Sequence, residues 1–157
     1  VLKIDSYDIV FQEVPNQTTL ALNLTCCPHR CPGCHSPHLW ADAGEVLTDE
    51  LLLSIIGKYR SAITCLCFMG GDNDTERVLE LAGKVHALGF KTAWYSGNTE
   101  PPYPLDSEFW KSGVLDYLKL GPWIAERGML KAPDTNQRFY TRTSQGWIDT
   151  TFLFRKK

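Results

Sequence analysis

The stretch "TTLALNLTCCPHRCPGCHSPHLW", Thr18 to Trp40, joins two patterns whose order decides the fold. Its first seven residues alternate, with Leu20, Leu22 and Leu24 on one side, which is the period of a strand. The remainder holds four of the chain's six cysteines and three of its four histidines. A strand that runs directly into a ligand-rich loop puts that loop at its carboxyl end, where parallel α/β folds bind their ligands. Two chemistries use such a loop: a zinc site that holds structure together, and an iron–sulfur site that reacts.

Downstream of the loop, helices and strands alternate. Thr48 is a good N-cap, and Asp49 and Glu50 suit the positive end of a helix dipole. Leu51, Leu52, Ile55, Ile56 and Tyr59 recur at helical spacing, so the pattern predicts a helix from about Asp49 to Arg60. "AITCLCF" (Ala62–Phe68) reads as a buried strand that ends in "MGGD". Asn73 with Glu76 forms a plausible capping box for a second helix lined by Val78, Leu81, Ala82, Val85 and Leu88 and stopped by Gly89. "KTAWYSG" (Lys91–Gly97) and "VLDYLKLG" (Val114–Gly121) read as two further strands, with a short helix over "DSEFWKSG" between them. A long loop with one helical turn follows, and "QRFYTRT" and "WIDTTFLF" close the chain as short strands.

This order predicts parallel strands joined by right-handed crossovers. A closed eight-unit barrel takes about 250 residues, and the chain has 157. The expected fold is therefore α/β: one domain over residues 1–157, an incomplete open (β/α) barrel with mostly parallel strands. The cysteine loop would lie at the C-terminal end of the first inner strand. The cysteine cluster, "MGGD" and "WYSG" should then meet in space.

Composition narrows the function. The net charge is −2 with mixed signs and no basic stripe, so no nucleic-acid partner is expected. No apolar run is long enough for a membrane span, and "VLKIDSYDIVF" lacks a signal-peptide core. A cytoplasmic location is the expectation, and there clustered cysteines bind metal or react more often than they form disulfides.

Cys27, Cys31 and Cys34 are spaced C-x3-C-x2-C. Cys26, adjacent to Cys27, would point the opposite way on an extended backbone. A structural zinc site would need His29, His35 or His38 as its fourth ligand, and no second cysteine pair stands at C-x2–4-C spacing to complete one. A cubane has four irons, so three thiolates leave one iron open. Cys65 and Cys67 share one side of a strand and read as small core residues, and His86 reads as exposed. The five tryptophans read as core or rim aromatics.

The cysteine spacing, with "MGGD" at the end of the next strand, resembles the radical S-adenosylmethionine superfamily. Within it, "CPHRCPGCHSPHLW", "MGGD", "WYSGN", "DYLKLGPW" and "TNQRFY" resemble the family of small activating enzymes of anaerobic (class III) ribonucleoside-triphosphate reductase. The resemblance implies that Cys27, Cys31 and Cys34 hold a 4Fe-4S cluster. It implies that Gly70, Gly71 and Asp72 meet the methionine moiety of S-adenosylmethionine, Ser96 and Gly97 touch the cofactor, and Lys119 meets its carboxylate. Asp72 stands where the superfamily more often has glutamate, and Gly33 where it often has an aromatic. The implied function is an activase that cleaves S-adenosylmethionine reductively to a 5′-deoxyadenosyl radical and leaves a glycyl radical on the reductase, with flavodoxin as electron donor. Activation of another glycyl-radical enzyme, a small-molecule substrate, or a zinc-stabilised binding module are the alternatives.

Overall fold

The computed structural model describes residues 2–11, 14–25, 44–122, 130 and 135–155. The segment with Cys26, Cys27, Cys31 and Cys34 lies outside them, as do His29, His35, His38, Trp40, Trp123 and most of the expected long loop.

Eight strands form one open sheet: β1 (Lys3–Val10), β2 (Thr19–Leu24), β3 (Glu45–Val46), β4 (Cys65–Met69), β5 (Lys91–Tyr95), β6 (Tyr117–Leu120), β7 (Arg138–Thr143) and β8 (Gly146–Asp149). Their order across the sheet is β3-β1-β2-β4-β5-β6-β7-β8. β2, β4, β5 and β6 are parallel neighbours in chain order, as the alternation predicts. The flanks correct the expectation of a mostly parallel sheet, since β1 and β3 on one side and β7 and β8 on the other pair antiparallel. Parallel neighbours need a crossover of a dozen residues or more, and the β1–β2 and β7–β8 connections are too short for one.

Helices α1 (Asp49–Tyr59) and α2 (Thr75–Ala87) lie on one face. There Leu20, Leu22, Leu24, Leu66, Phe68, Trp94 and Leu118 of the strands meet Leu52, Ile55 and Ile56 of α1 and Val78, Leu81, Ala82 and Val85 of α2. α1 begins as expected, with Thr48 Oγ1 accepting from Leu51 N at 3.1 Å. α2 begins one residue later than the expected box: Asp74, not Asn73, accepts from Arg77 N at 3.3 Å. Gly71 O takes the Asp74 N–H at 3.0 Å, which turns the chain from strand to helix and brings Asp74 to the cap position. The helices are tied at the surface, where the Asp49 carboxylate receives Arg77 at 2.6 Å and Lys84. Lys84 and then Arg77 hold the Asp49 carboxyl below the usual carboxylate range.

The opposite face carries the odd-numbered positions of the inner strands. Cys65, Cys67 and Ala93 pack there with Val14, Leu130 and Phe139, and Met69, Tyr95, Tyr117 and Phe154 flank them. Among the described residues the helices α1 and α2 cover one face only, whereas doubly wound folds carry helices on both. No helix among the described residues is long and apolar enough to cross a membrane.

Two further expectations change. "WIDTTFLF" is a strand only to Asp149; Thr151 N and Oγ1 both donate to Asp149 Oδ1, and the chain turns into a 3₁₀ segment, Thr151–Arg155. His86 is half-buried and stands 3.8 Å from the carboxylate of Asp116, which is nine-tenths buried and also receives Thr92 N at 2.9 Å and Arg142 at 3.3 Å. The short helix between β5 and β6 forms as a 3₁₀ turn, Glu108–Ser112, and buries Trp110.

Candidate functional site

The carboxyl ends of β2, β4, β5 and β6 lie on one edge of the sheet, and the residues that follow them are stitched together. Gly70 N donates to Tyr95 O at 3.0 Å, Ser96 N to Lys119 O at 2.9 Å, and Gly121 N to Asn98 O at 2.9 Å. Trp94, wholly buried on the helix side, sends its indole N–H to Gly70 O at 2.7 Å. These bonds hold the three strand ends level, so their side chains meet although they are distant in sequence.

Asp72 is the centre of this arrangement. Its Oδ1 accepts from Ser96 Oγ at 2.6 Å and its Oδ2 from Gly97 N at 2.8 Å. Asn98 Nδ2 adds a longer contact of 3.4 Å, and Asn98 N donates to Ser96 Oγ at 3.0 Å. Asp72, Ser96 and Gly97, read separately from two motifs, therefore come together as one network, and the carboxylate ties the loop after β4 to the loop after β5.

The two glycines before Asp72 differ. Both have positive φ, +103° at Gly70 and +88° at Gly71. A Cβ on Gly71 would lie 2.5 Å from Val78 Cγ2 and 3.0 Å from Leu24 Cδ1, whereas one on Gly70 would approach nothing closer than Leu24 O at 3.4 Å. Gly71 is needed for helix–sheet packing, and Gly70 keeps backbone uncovered at the edge.

Lys119 is placed one row below. Register puts Ser6, Asn23, Met69, Tyr95, Lys119 and Phe139 side by side across six strands, on the face away from the helices. Lys119 Nζ donates to Gly121 O at 3.2 Å and stands 5.8 Å from the Tyr95 ring centre. A cationic group is thus held at the strand ends, near the loop that Asp72 joins. Asn23, Met69, Tyr95 and Asn98 were missed by motif reading. Their signal was positional, because Asn23, Met69 and Tyr95 lie at or beside the ends of successive parallel strands and so fall in one row.

The flanks of the cysteine segment arrive at this same edge. Thr25 N donates to Lys3 O at 2.9 Å, and Gly44 lies against Ile4, with a Cβ there only 2.4 Å from Ile4 O. Because β1 is antiparallel to β2, Lys3 and Ile4 stand at the carboxyl end of β2. The segment that holds Cys27, Cys31 and Cys34 therefore leaves the sheet just after Leu24, which lies against Gly70 and Gly71, and rejoins it at Gly44 on the outer side of β1. Among the described residues, no three side chains of ligating type are grouped for a metal.

Cys65 and Cys67 behave as core residues, both wholly buried, and burial pushes the Cys65 thiol up to about 12. A thiol raised this far carries very little thiolate at neutral pH, and the thiolate is the nucleophile. In iodoacetamide at pH 8, peptides carrying Cys65 and Cys67 should stay unmodified in the folded protein and become modified in urea. Modification before unfolding would show that these thiols are accessible.

A family model described as a 4Fe-4S single cluster domain matches residues 18–101, which run from the start of β2 past the Ser96–Asn98 loop. No curated protein and no solved structure matches the chain.

Proposed function

The chain belongs to the 4Fe-4S single cluster domain family, and from that premise we propose that it is a radical S-adenosylmethionine activase that installs a glycyl radical on anaerobic ribonucleoside-triphosphate reductase. The observation that carries this reading is the neighbourhood at one sheet edge: the cysteine segment leaves β2 just after Leu24, which lies against Gly70 and Gly71, and the Asp72–Ser96–Gly97 network follows directly on those glycines. A structural metal site would need no such neighbour.

Three thiols one short of the four irons fit a cluster with one open position, and Cys27, Cys31 and Cys34 would hold it. When bound, such a cluster would supply one-electron reduction of the S-adenosylmethionine sulfonium, the chemistry from which hydrogen-atom abstraction at a glycine Cα would follow. The chain's own residues bind and orient. Asp72 already collects hydroxyl and N–H donors, and the methionine ammonium is a donor of the same kind. Lys119, held by Gly121 O and the Tyr95 ring, supplies a positive charge for the carboxylate. Gly70 and Gly97 allow close approach of backbone, and Ser96 sets the loop that borders the adenosyl group. An incomplete barrel would leave the side open through which a protein loop must enter. Flavodoxin in the cytoplasm is the electron donor that goes with this reading.

The experiment is anaerobic reconstitution with iron and sulfide, reduction, and mixing with S-adenosylmethionine and the glycyl-radical subunit of the reductase. The expected result is a glycyl doublet by electron paramagnetic resonance, with 5′-deoxyadenosine formed. An intact cluster that cleaves S-adenosylmethionine without the doublet would point to another glycyl-radical enzyme or a small-molecule substrate. Colourless protein with one zinc per chain would overturn the enzyme reading.

A further inference from the structure

Two adjacent residues at the edge of the sheet, Asn136 and Gln137, bury a carboxamide oxygen apiece. Neither Asn136 Oδ1 nor Gln137 Oε1 meets a hydrogen-bond donor among the described residues. Gln137 as a whole is only 4% exposed. A buried acceptor left unpaired costs a fold the full desolvation of that oxygen, so two in succession need an explanation.

The segment that carries them is held by its own chain. Gln137 N donates to Thr135 Oγ1 at 3.0 Å, and Asn136 Nδ2 donates to Pro122 O at 3.0 Å. The second bond orients the Asn136 amide and leaves its oxygen as an acceptor. Gly121, just past β6, brings the segment close. Its φ is +115°, and a Cβ there would lie 3.0 Å from Gln137 Cα and 3.2 Å from Asn136 O. A side chain at position 121 would push both amides away from the end of β6.

Their position continues the candidate site. Asn98 contacts Asp72 through Nδ2 at 3.4 Å, and its carbonyl accepts from Gly121 N at 2.9 Å. Gly121 O in turn receives Lys119 Nζ. Burial alternates over Gln137, Arg138 and Phe139, so Gln137 shares with Phe139 and Lys119 the face away from the helices. Asp72 follows β4 and Gln137 precedes β7, three strands across the sheet. At about 4.8 Å per strand this is roughly 14 Å along the edge, a span that suits a ligand with an amino acid at one end and a nucleoside base at the other.

We propose that Gln137 reads the adenine of the bound cofactor: its Oε1 accepts a hydrogen bond from the exocyclic amine of the adenosyl group, with Asn136 Oδ1 as the neighbouring acceptor. A carboxamide pairs an acceptor with a donor, which matches the amine and a ring nitrogen of adenine. Asp72 and Lys119 meet only the amino-acid end, which free methionine shares. The inference rests on the activase reading and adds to it the residue that selects the base.

The test measures binding without turnover. Reconstituted, unreduced holoenzyme is dialysed to equilibrium against labelled S-adenosylmethionine, or against its analogue with hydrogen in place of the adenine amine. Urea unfolding of the cluster-free chain is read alongside. Wild type should bind the analogue about tenfold more weakly than S-adenosylmethionine. Gln137→Met, similar in volume, should bind S-adenosylmethionine about tenfold more weakly than wild type and no longer distinguish the two ligands. Its urea midpoint should be unchanged or raised, because an unpaired buried acceptor has been removed. A lowered midpoint with the preference for the amine intact would make Gln137 a structural residue and overturn the assignment. Equal binding of both ligands by wild type would also overturn it and leave the activase reading standing. A four-iron holoenzyme that binds neither ligand would overturn both.

Discussion

Cys31→Ala, purified and reconstituted without oxygen, is expected to hold almost no iron or sulfide where the wild-type chain holds about four of each. Three thiolates are the whole protein ligand set of the proposed cluster, so losing one leaves two irons without protein ligands and the cubane unsupported. The brown absorbance near 400 nm should vanish, and cleavage of S-adenosylmethionine should fall below detection. Cys26→Ala is the control. Cys26 neighbours Cys27 on the chain and would point away from it in an extended backbone, so this variant should keep its iron and its cleavage activity. The two cysteines of β4 cannot substitute for a lost ligand, because both are wholly buried on the inner face of the sheet. Iron retained in Cys31→Ala, or lost only in Cys26→Ala, would remove the assigned ligand set.

Gly71→Ala should destabilise the fold by roughly 2–5 kcal/mol. The estimate adds about 1–2 kcal/mol for an L-residue forced to a left-handed φ to about 1–3 kcal/mol for overpacking. The overpacking is specific, since the new methyl group would sit 2.5 Å from Val78 Cγ2, on a helix whose own core positions are fully buried. Gly70→Ala shares the conformational penalty but meets only Leu24 O at 3.4 Å, so it should cost no more than about half as much. Urea unfolding of the cluster-free chains separates the two, because no bound ligand contributes to it. Equal midpoints would mean that neither glycine is a packing residue and that both serve the ligand.

Much of this architecture could be read in advance because its pattern was local. The alternation of Leu20, Leu22 and Leu24 and the 3.6-residue spacing of Leu52, Ile55 and Ile56 are single-element signals, and each became the buried face of the element expected. The rule that ligand loops gather at the carboxyl ends of parallel strands was enough to bring Asp72 to Ser96 and Gly97. What failed was non-local or irregular. β1 shifts register between Ile4 and Ser6, so Ile4 and then Tyr7 and Ile9 face the helix-side core, and no unbroken alternation betrays the strand. β3 has only two residues and exists because β1 offers it an edge. Asp116 gathers His86 of α2, Thr92 of β5 and Arg142 of β7. No spacing rule links those positions, and only the fold brings them to one carboxylate. The three cysteines were legible as a motif, although their own geometry lies outside the described residues.

The pinned ends of the cysteine segment have a consequence for how metal and fold depend on each other. Thr25 bonds Lys3 and Gly44 rests on Ile4, so consecutive residues of β1 hold the two ends of the intervening loop. The entropy of closing a loop is charged when its ends are brought together, and here the sheet has already done so through pairings that involve no thiol. Small zinc modules lack such a frame and unfold when chelated. In this chain the sheet itself holds Thr25 and Gly44, the two ends of the donor-bearing segment, so chelation and folding are separable events. A cluster destroyed by oxygen could then be rebuilt on a scaffold that had never come apart.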